Sequence, residues 1–285
     1  VPEFPIVDAH VHLYDPGAIT FDWMKDVPLL NKPHVPSYYD ERVAPVVVDG
    51  IVFVEVDAAN GEHVDEALWV SEIAGSEPRL QAMVASVPME RGPGAVEADI
   101  ATIAKLPIAR GIRRLIQAHA DEPGWCLQPE FVEAVRLLPG YDLTFDICIF
   151  HSQMGDAIEL VLRCPEVSFI LDHIGKPGIR DGIRDPWWAQ MRELAQLPNV
   201  ICKISGVVTE ADHKTWTYDQ VAPYIEHAIA CFGFDRVAFG GDWPVSEQAV
   251  RYAEWVGVVD RVTAGTSTAD LRKLYRDNAI RFYRM

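Results

Sequence analysis

Eight short apolar runs, rich in β-branched residues, recur along the chain, each ending in polar residues and most followed by a stretch of helical periodicity. The runs fall at 6–12, 50–57, 80–87, 109–117, 143–151, 167–173, 200–205 and 237–242. Helical patterning is read at 62–75, 94–104, 129–138, 153–163, 186–197, 218–232 and 246–256, and again at 267–283. Eight strand-then-helix units within 285 residues, 49% of them hydrophobic, predict one (β/α)8 TIM-like barrel domain spanning 1–285. An open doubly wound sheet would place a glycine-rich phosphate loop after the first strand; here that position holds His10-Val11-His12-Leu13-Tyr14-Asp15-Pro16. The proline-rich segment 16–45 interrupts the alternation, and its Trp23, Tyr38 and Tyr39 are expected to cover a pocket as a loop or lid.

Barrel enzymes work at the carboxyl ends of their strands, so polar residues there are the site candidates. Strict alternation puts Asp8, His10 and His12 on one face, toward the barrel mouth, and Val7, Ala9 and Val11 on the other, toward the helices. Two neutral imidazoles so spaced can hold one divalent cation, zinc in the first instance and manganese in the second, given further oxygen or nitrogen ligands. Asp242 ends the last strand, which neighbours the first in a closed barrel, and the small Ala238 and Gly240 leave room before it. Glu55 is either a fourth ligand or the partner of an arginine. His173 and His151 end the sixth and fifth strands, where a hydrogen-bonded structural histidine is the competing explanation. Arg113 and Lys203 lie inside apolar strands and either anchor a polar substrate or form buried ion pairs with Asp57, Asp146 or another carboxylate. Trp243, like Trp187, Trp188 and Trp216, offers an indole face to a sugar ring or simply packs.

With 42 acidic against 25 basic residues the formal net charge is −17, which repels phosphate backbones and anionic lipid and argues against nucleic-acid and membrane partners. Five cysteines, an odd number without a C-x-x-C pair, read as reduced core residues. The absence of a membrane-length apolar stretch or a signal-peptide pattern points to the cytoplasm. Neither G-x-S-x-G nor a cysteine beside a histidine is present to support a nucleophile scheme.

The motifs Asp8-Ala9-His10-Val11-His12, Leu171-Asp172-His173-Ile174-Gly175-Lys176-Pro177, Cys202-Lys203-Ile204-Ser205-Gly206 and Gly240-Gly241-Asp242-Trp243-Pro244-Val245 resemble the amidohydrolase superfamily. More narrowly, they resemble its branch of sugar-lactone hydrolases, including those acting on fucono- and rhamnonolactones. Asp185-Pro186-Trp187, Pro198-Asn199-Val200 and Val208-Thr209-Glu210-Ala211 extend the likeness over nearly the whole chain. The resemblance implies that His10, His12 and Asp242 occupy the family's first- and last-strand site positions and His173 its sixth-strand histidine. Where the family's metal enzymes carry a fifth-strand ligand, this chain offers His151. Some lactonases of the branch work without a metal, so catalysis by the histidines alone stays open. The expected reaction is hydrolysis of a small-molecule sugar lactone to the aldonic acid. In it Asp242 shuttles the proton of water, His173 steadies the oxyanion, and Arg113, Lys203, His151 and Trp243 contact the substrate. A metal-dependent decarboxylase, a dicarboxylate lactonase and a non-catalytic binding barrel are the alternatives. The acidic surface and the long loop permit a homodimer.

Overall fold

The computed structural model describes residues 2–59 and 61–285. Eight parallel strands pair in sequence order: β1 (Ile6–Val11), β2 (Val48–Val54), β3 (Leu80–Ser86), β4 (Ala109–Leu115), β5 (Thr144–Cys148), β6 (Phe169–Leu171), β7 (Val200–Ile204) and β8 (Val237–Phe239). The ring closes just beyond β8, where Asp242 N–H donates to the His10 carbonyl and His12 N–H to the Trp243 carbonyl, both at 2.8 Å. The result is a (β/α)8 barrel. Its strands are short continuous apolar runs because both faces are covered, one by the barrel interior and one by helices.

The helices are α1 (Pro36–Val43), α2 (His63–Ala74), α3 (Pro93–Ile103), α4 (Pro129–Val135), α5 (Met154–Arg163), α6 (Trp187–Leu194), α7 (Tyr218–Phe232), α8 (Tyr252–Val262), α9 (Thr268–Arg272) and α10 (Asn278–Tyr283). Helix α7 matches its expected range, with Thr217 and Gln220 bracketing its start. Helix α8 starts later than the sequence pattern suggests. Residues Val245–Gln248 instead form a tight turn whose Ser246 N–H bonds back to Asp242, and the helix begins only after Arg251, whose N–H is met by Glu254. The segment 16–45 is not a bare loop: Pro36 starts α1 at the position where its missing N–H costs nothing. Tyr14, Trp23, Val27 and Leu30, from the end of β1 and this segment, reach the barrel mouth. Among the described residues no helix is long and apolar enough to cross a membrane.

One expectation about β1 fails. Val7 and Ala9 pack inside the barrel with Val52, Val54, Ala82, Val84, Ile170 and Ala238, while Asp8 points into the helix layer. There its carboxylate accepts from Tyr39 and Tyr252 hydroxyls at 2.9 and 2.8 Å and from Gly241 N–H at 2.7 Å. The cause is an irregularity in the β1–β2 register between Asp8 and Val11, which resets the alternation so that His10 turns inward. Asp8 thus ties β1 to α1, α8 and the chain after β8 rather than facing the mouth. Burial holds its carboxyl up at about 6.

Candidate active site at the barrel mouth

The carboxyl ends of the strands enclose a cavity of about 350 Å³ lined by His12, Glu55, Arg113, His173 and Asp242 among others. Asp242 is its centre: Oδ1 lies 3.4 Å from His12 Nε2 and 3.7 Å from His10 Nε2, and Oδ2 lies 3.9 Å from His173 Nδ1. All four side chains are buried. The backbone that aims them is unusual, since Asp57, His173, Lys176 and Asp242 all have φ near +50° and all line the cavity. Left-handed conformations of non-glycine residues cost free energy and gather where a site over-determines them.

Gly206, at φ +57°, lets two of these groups meet. A Cβ there would stand 2.4 Å from Asp242 Oδ2 and 2.7 Å from His173 Nδ1. Gly240 does the same for the first strand, for its Cβ would lie 2.7 Å from that of His10. Ser205 Oγ contacts His173 Nδ1 at 3.0 Å. Burial drives His173 down to about 4, partly opposed by Asp242, so the ring is neutral at pH 7. Burial likewise lowers His10 well below the usual imidazole value. For Asp242 burial acts upward, but His173, the His12 hydrogen bond and His10 hold the carboxyl well below its ordinary range.

His10, His12 and Asp242 form a donor set fitted to a cation. The Val54 carbonyl accepts the Nδ1 proton of His12 at 2.8 Å, so in the neutral ring Nε2 carries a lone pair toward Asp242. Ligands bound at 2.0–2.1 Å to a tetrahedral zinc stand roughly 3.3 Å apart, close to the 3.4 and 3.7 Å found here. A second grouping, His10, Asp172 and His173, shares the inner imidazole.

The remaining candidates divide. Glu55 lines the cavity, and its Oε1 accepts from Arg113 Nε at 2.5 Å and its Oε2 from Asp57 N–H at 2.7 Å, the arrangement of an arginine partner. Arg113 also lines the cavity, spanning Glu55, Asp172 (3.2 Å) and His10 Nε2 (3.3 Å). Lys203 is fully buried beneath the site between Asp146 (2.6 Å) and Asp172 (3.0 Å) and does not line the cavity. Trp243 is fully buried too, its ring against Tyr39, His34 and Tyr38, away from the cavity lining. His151 falls after β5 has ended and bonds the Lys176 carbonyl at 3.2 Å, outside the lining. The sequence reading missed Lys176 and Gln117, joined at 2.5 Å on the cavity wall, and the supporting Asp172, Ser205 and Gly206. All but Gln117 lie within motifs already singled out, one or a few residues from a candidate.

The chain belongs to the amidohydrolase family, whose profile matches residues 7–285. It is 30% identical to an L-fucono-1,5-lactonase of Burkholderia multivorans (strain ATCC 17616 / 249), over 97% of this chain and 95% of that one. A 4-sulfomuconolactone hydrolase of Rhizobium radiobacter is 25% identical over 84% of this chain and 75% of its own. A crystal structure of a Burkholderia multivorans amidohydrolase with bound zinc superposes with a TM-score of 0.87 at 28% identity, covering 99% of this chain and 100% of that one.

Proposed function

We propose that this amidohydrolase is a lactonase that opens sugar lactones to aldonic acids at the barrel mouth. The observation that carries the reading is the Asp242 carboxyl group held 3.4–3.9 Å from ring nitrogens of His12, His10 and His173 inside an otherwise half-apolar cavity. The names of the two lactone-hydrolysing relatives support it.

Asp242 takes a proton from a water molecule, whose oxygen bonds to the lactone carbonyl carbon. With the Ser205 hydroxyl donating to Nδ1, neutral His173 carries its proton on Nε2 and donates to the developing oxyanion. As the ring C–O bond breaks, Asp242 returns the proton to the leaving alkoxide, and the free carboxylic acid then ionises. His10, His12 and Asp242 would hold a divalent cation, zinc before manganese, whose positive charge would polarise the carbonyl and acidify water. Tyr14, Trp23, Val27, Leu30 and Val245 form an apolar wall suited to the C–H face of a sugar ring. Lys176, Gln117, Asp57, Thr209 and Gln248 offer donors and acceptors for its hydroxyls.

The alternatives draw less support from the same lining. A dicarboxylate substrate needs several cations, yet Arg113 is occupied by Glu55 and Asp172, and Arg114 pairs with Glu90 at 2.7 Å. The test is acid release from a panel of aldonolactones, with protein as purified, after chelation, and after zinc or manganese is restored. One acid equivalent per lactone without carbon dioxide supports the proposal; silence across the panel, or carbon dioxide from an aromatic acid, sinks it.

A further inference from the structure

Helix α10 puts a side chain inside the barrel. After α9 a wide turn, Lys273–Asp277, leads into α10, which is pinned across the amino-terminal end of the strands. Asn278 donates to the Phe234 and Val237 carbonyls at 2.7 Å, and Arg276 pairs with Asp49. Tyr283 is thereby inserted among Val7, Ala9, Val52, Val54, Ala82, Val84, Ile170 and Ala238, with no exposure. A hydrophobic plug needs no hydroxyl there, and a buried hydroxyl without a partner would be costly. This one has a partner: it donates to Asp146 Oδ2 at 2.7 Å.

From that bond a continuous polar column runs up the barrel axis. Asp146 Oδ2 also accepts from Lys203 Nζ at 2.6 Å, and Lys203 lies 5.4 Å above the Tyr283 ring. Lys203 Nζ reaches Asp172 Oδ1 at 3.0 Å and stands 3.4 Å from His10 Nδ1, while Asp172 Oδ1 is 3.5 Å from the same nitrogen. The two neighbours of Nδ1 make opposite demands. Asp172 requires a proton on Nδ1, which leaves the Nε2 lone pair for Asp242's side of the cavity. Lys203, as a donor, requires the lone pair on Nδ1 and sends the proton to Nε2, where it would oppose a cation. Arg113 Nη1, 3.3 Å from Nε2, favours the lone pair there and sides with Asp172, and Lys203's position sets how strongly the opposing demand is felt.

We propose that Tyr283 is a positioning residue for the active site: its hydroxyl and Asp146 hold Lys203 toward the barrel floor, so that Asp172 keeps the His10 proton on Nδ1. The inference rests on the reading of His10 Nε2 as a cation-facing atom, but not on the identity of the substrate. Removing the hydroxyl takes away the donor that anchors Asp146 at the barrel floor, its Oδ1 having none among the described residues, so that Asp146 and the Lys203 it holds can shift together toward His10.

The test compares wild type with Tyr283→Phe, which keeps the ring in its apolar socket. Histidine side-chain nitrogen-15 NMR on metal-free protein reads the His10 tautomer, and competition against a chromophoric chelator reads zinc affinity. The expected result is Nδ1–H in wild type, a shift toward Nε2–H in Tyr283→Phe, and zinc bound roughly tenfold more weakly. A lower melting temperature with unchanged tautomer and zinc affinity would show Tyr283 to be packing alone and overturn the proposal. If Tyr283→Phe does not fold, the same readings on Asp146→Asn decide, a change in tautomer supporting the column and no change refuting it. Neither readout uses a lactone, so they hold or fail independently of the proposed reaction.

Discussion

Nε2 of His12 and Oδ1 of Asp242 stand 3.4 Å apart across the barrel mouth, and because Nδ1 of His12 donates to the Val54 carbonyl, the two atoms are facing acceptors whenever the ring carries a single proton. Such a pair needs a cation or an extra proton between its members. His12→Ala is expected to weaken zinc binding by more than the roughly 10–100-fold typical of losing an outer partner, in a chelator-competition titration. Asp242→Asn should lower kcat for lactone opening by about 10²–10⁴-fold, since it removes the proton carrier. Near-normal turnover by the asparagine variant would reassign the base.

Gly206→Ala tests how tightly the site is packed. The added methyl would meet Asp242 and His173 well inside contact distance on a backbone at φ +57°, so something must move. Activity is expected to fall at least 100-fold, the scale on which misplacement of about 1 Å is felt. A loss confined to thermal stability, with kcat/KM intact, would mean the two side chains are not held for catalysis.

Lys176 is joined to the neutral Gln117, and among the described residues no carboxylate lies within ion-pair distance of it. Lys176→Met is therefore expected to raise KM for polyhydroxylated lactones about tenfold. An unsubstituted six-membered lactone should be hydrolysed as before, because it has no hydroxyl to anchor. Equal losses on both substrates would place Lys176 outside substrate recognition.

Because burial depresses His173 to about 4, its ring stays neutral well below the usual 6.5. The acid limb of kcat/KM is expected near pH 4, and a limb near 6.5 would indicate a solvated imidazole. The sign for stability follows. The unfolded chain protonates this histidine at about 6.5. The stabilisation it contributes is thus full above that value and lost as pH falls through 4. Asp8, raised to about 6, acts in the opposite sense: its contribution is full at low pH and lost as pH rises through 6. Urea midpoints across pH 4–7 for wild type and Asp8→Asn separate the two, the variant losing the downward contribution.

The eight apolar runs, their helical partners and the residues at the strand ends were legible from sequence, because hydrophobic period and strand-end polarity are local properties. So was the meeting of His10 and His12 with Asp242, since barrel closure follows from counting eight strands, whereas His173 was placed only by the resemblance to the amidohydrolase superfamily. What sequence could not decide was which way individual side chains turn once a local rule is broken. Alternation with the inward Val7 and Ala9 leaves Asp8 facing the helices, and a one-residue irregularity between Asp8 and Val11 turned His10 inward against that alternation. The partners of the buried charges were equally beyond reach. Lys203 had several carboxylates on offer, and only the three-dimensional packing of β5, β6 and β7 selected Asp146 and Asp172. The C-terminal tyrosine that reaches Asp146 lies 137 residues from it along the chain. Desolvation makes such pairings decisive inside a barrel, and desolvation depends on which atoms surround a charge rather than on which residues precede it.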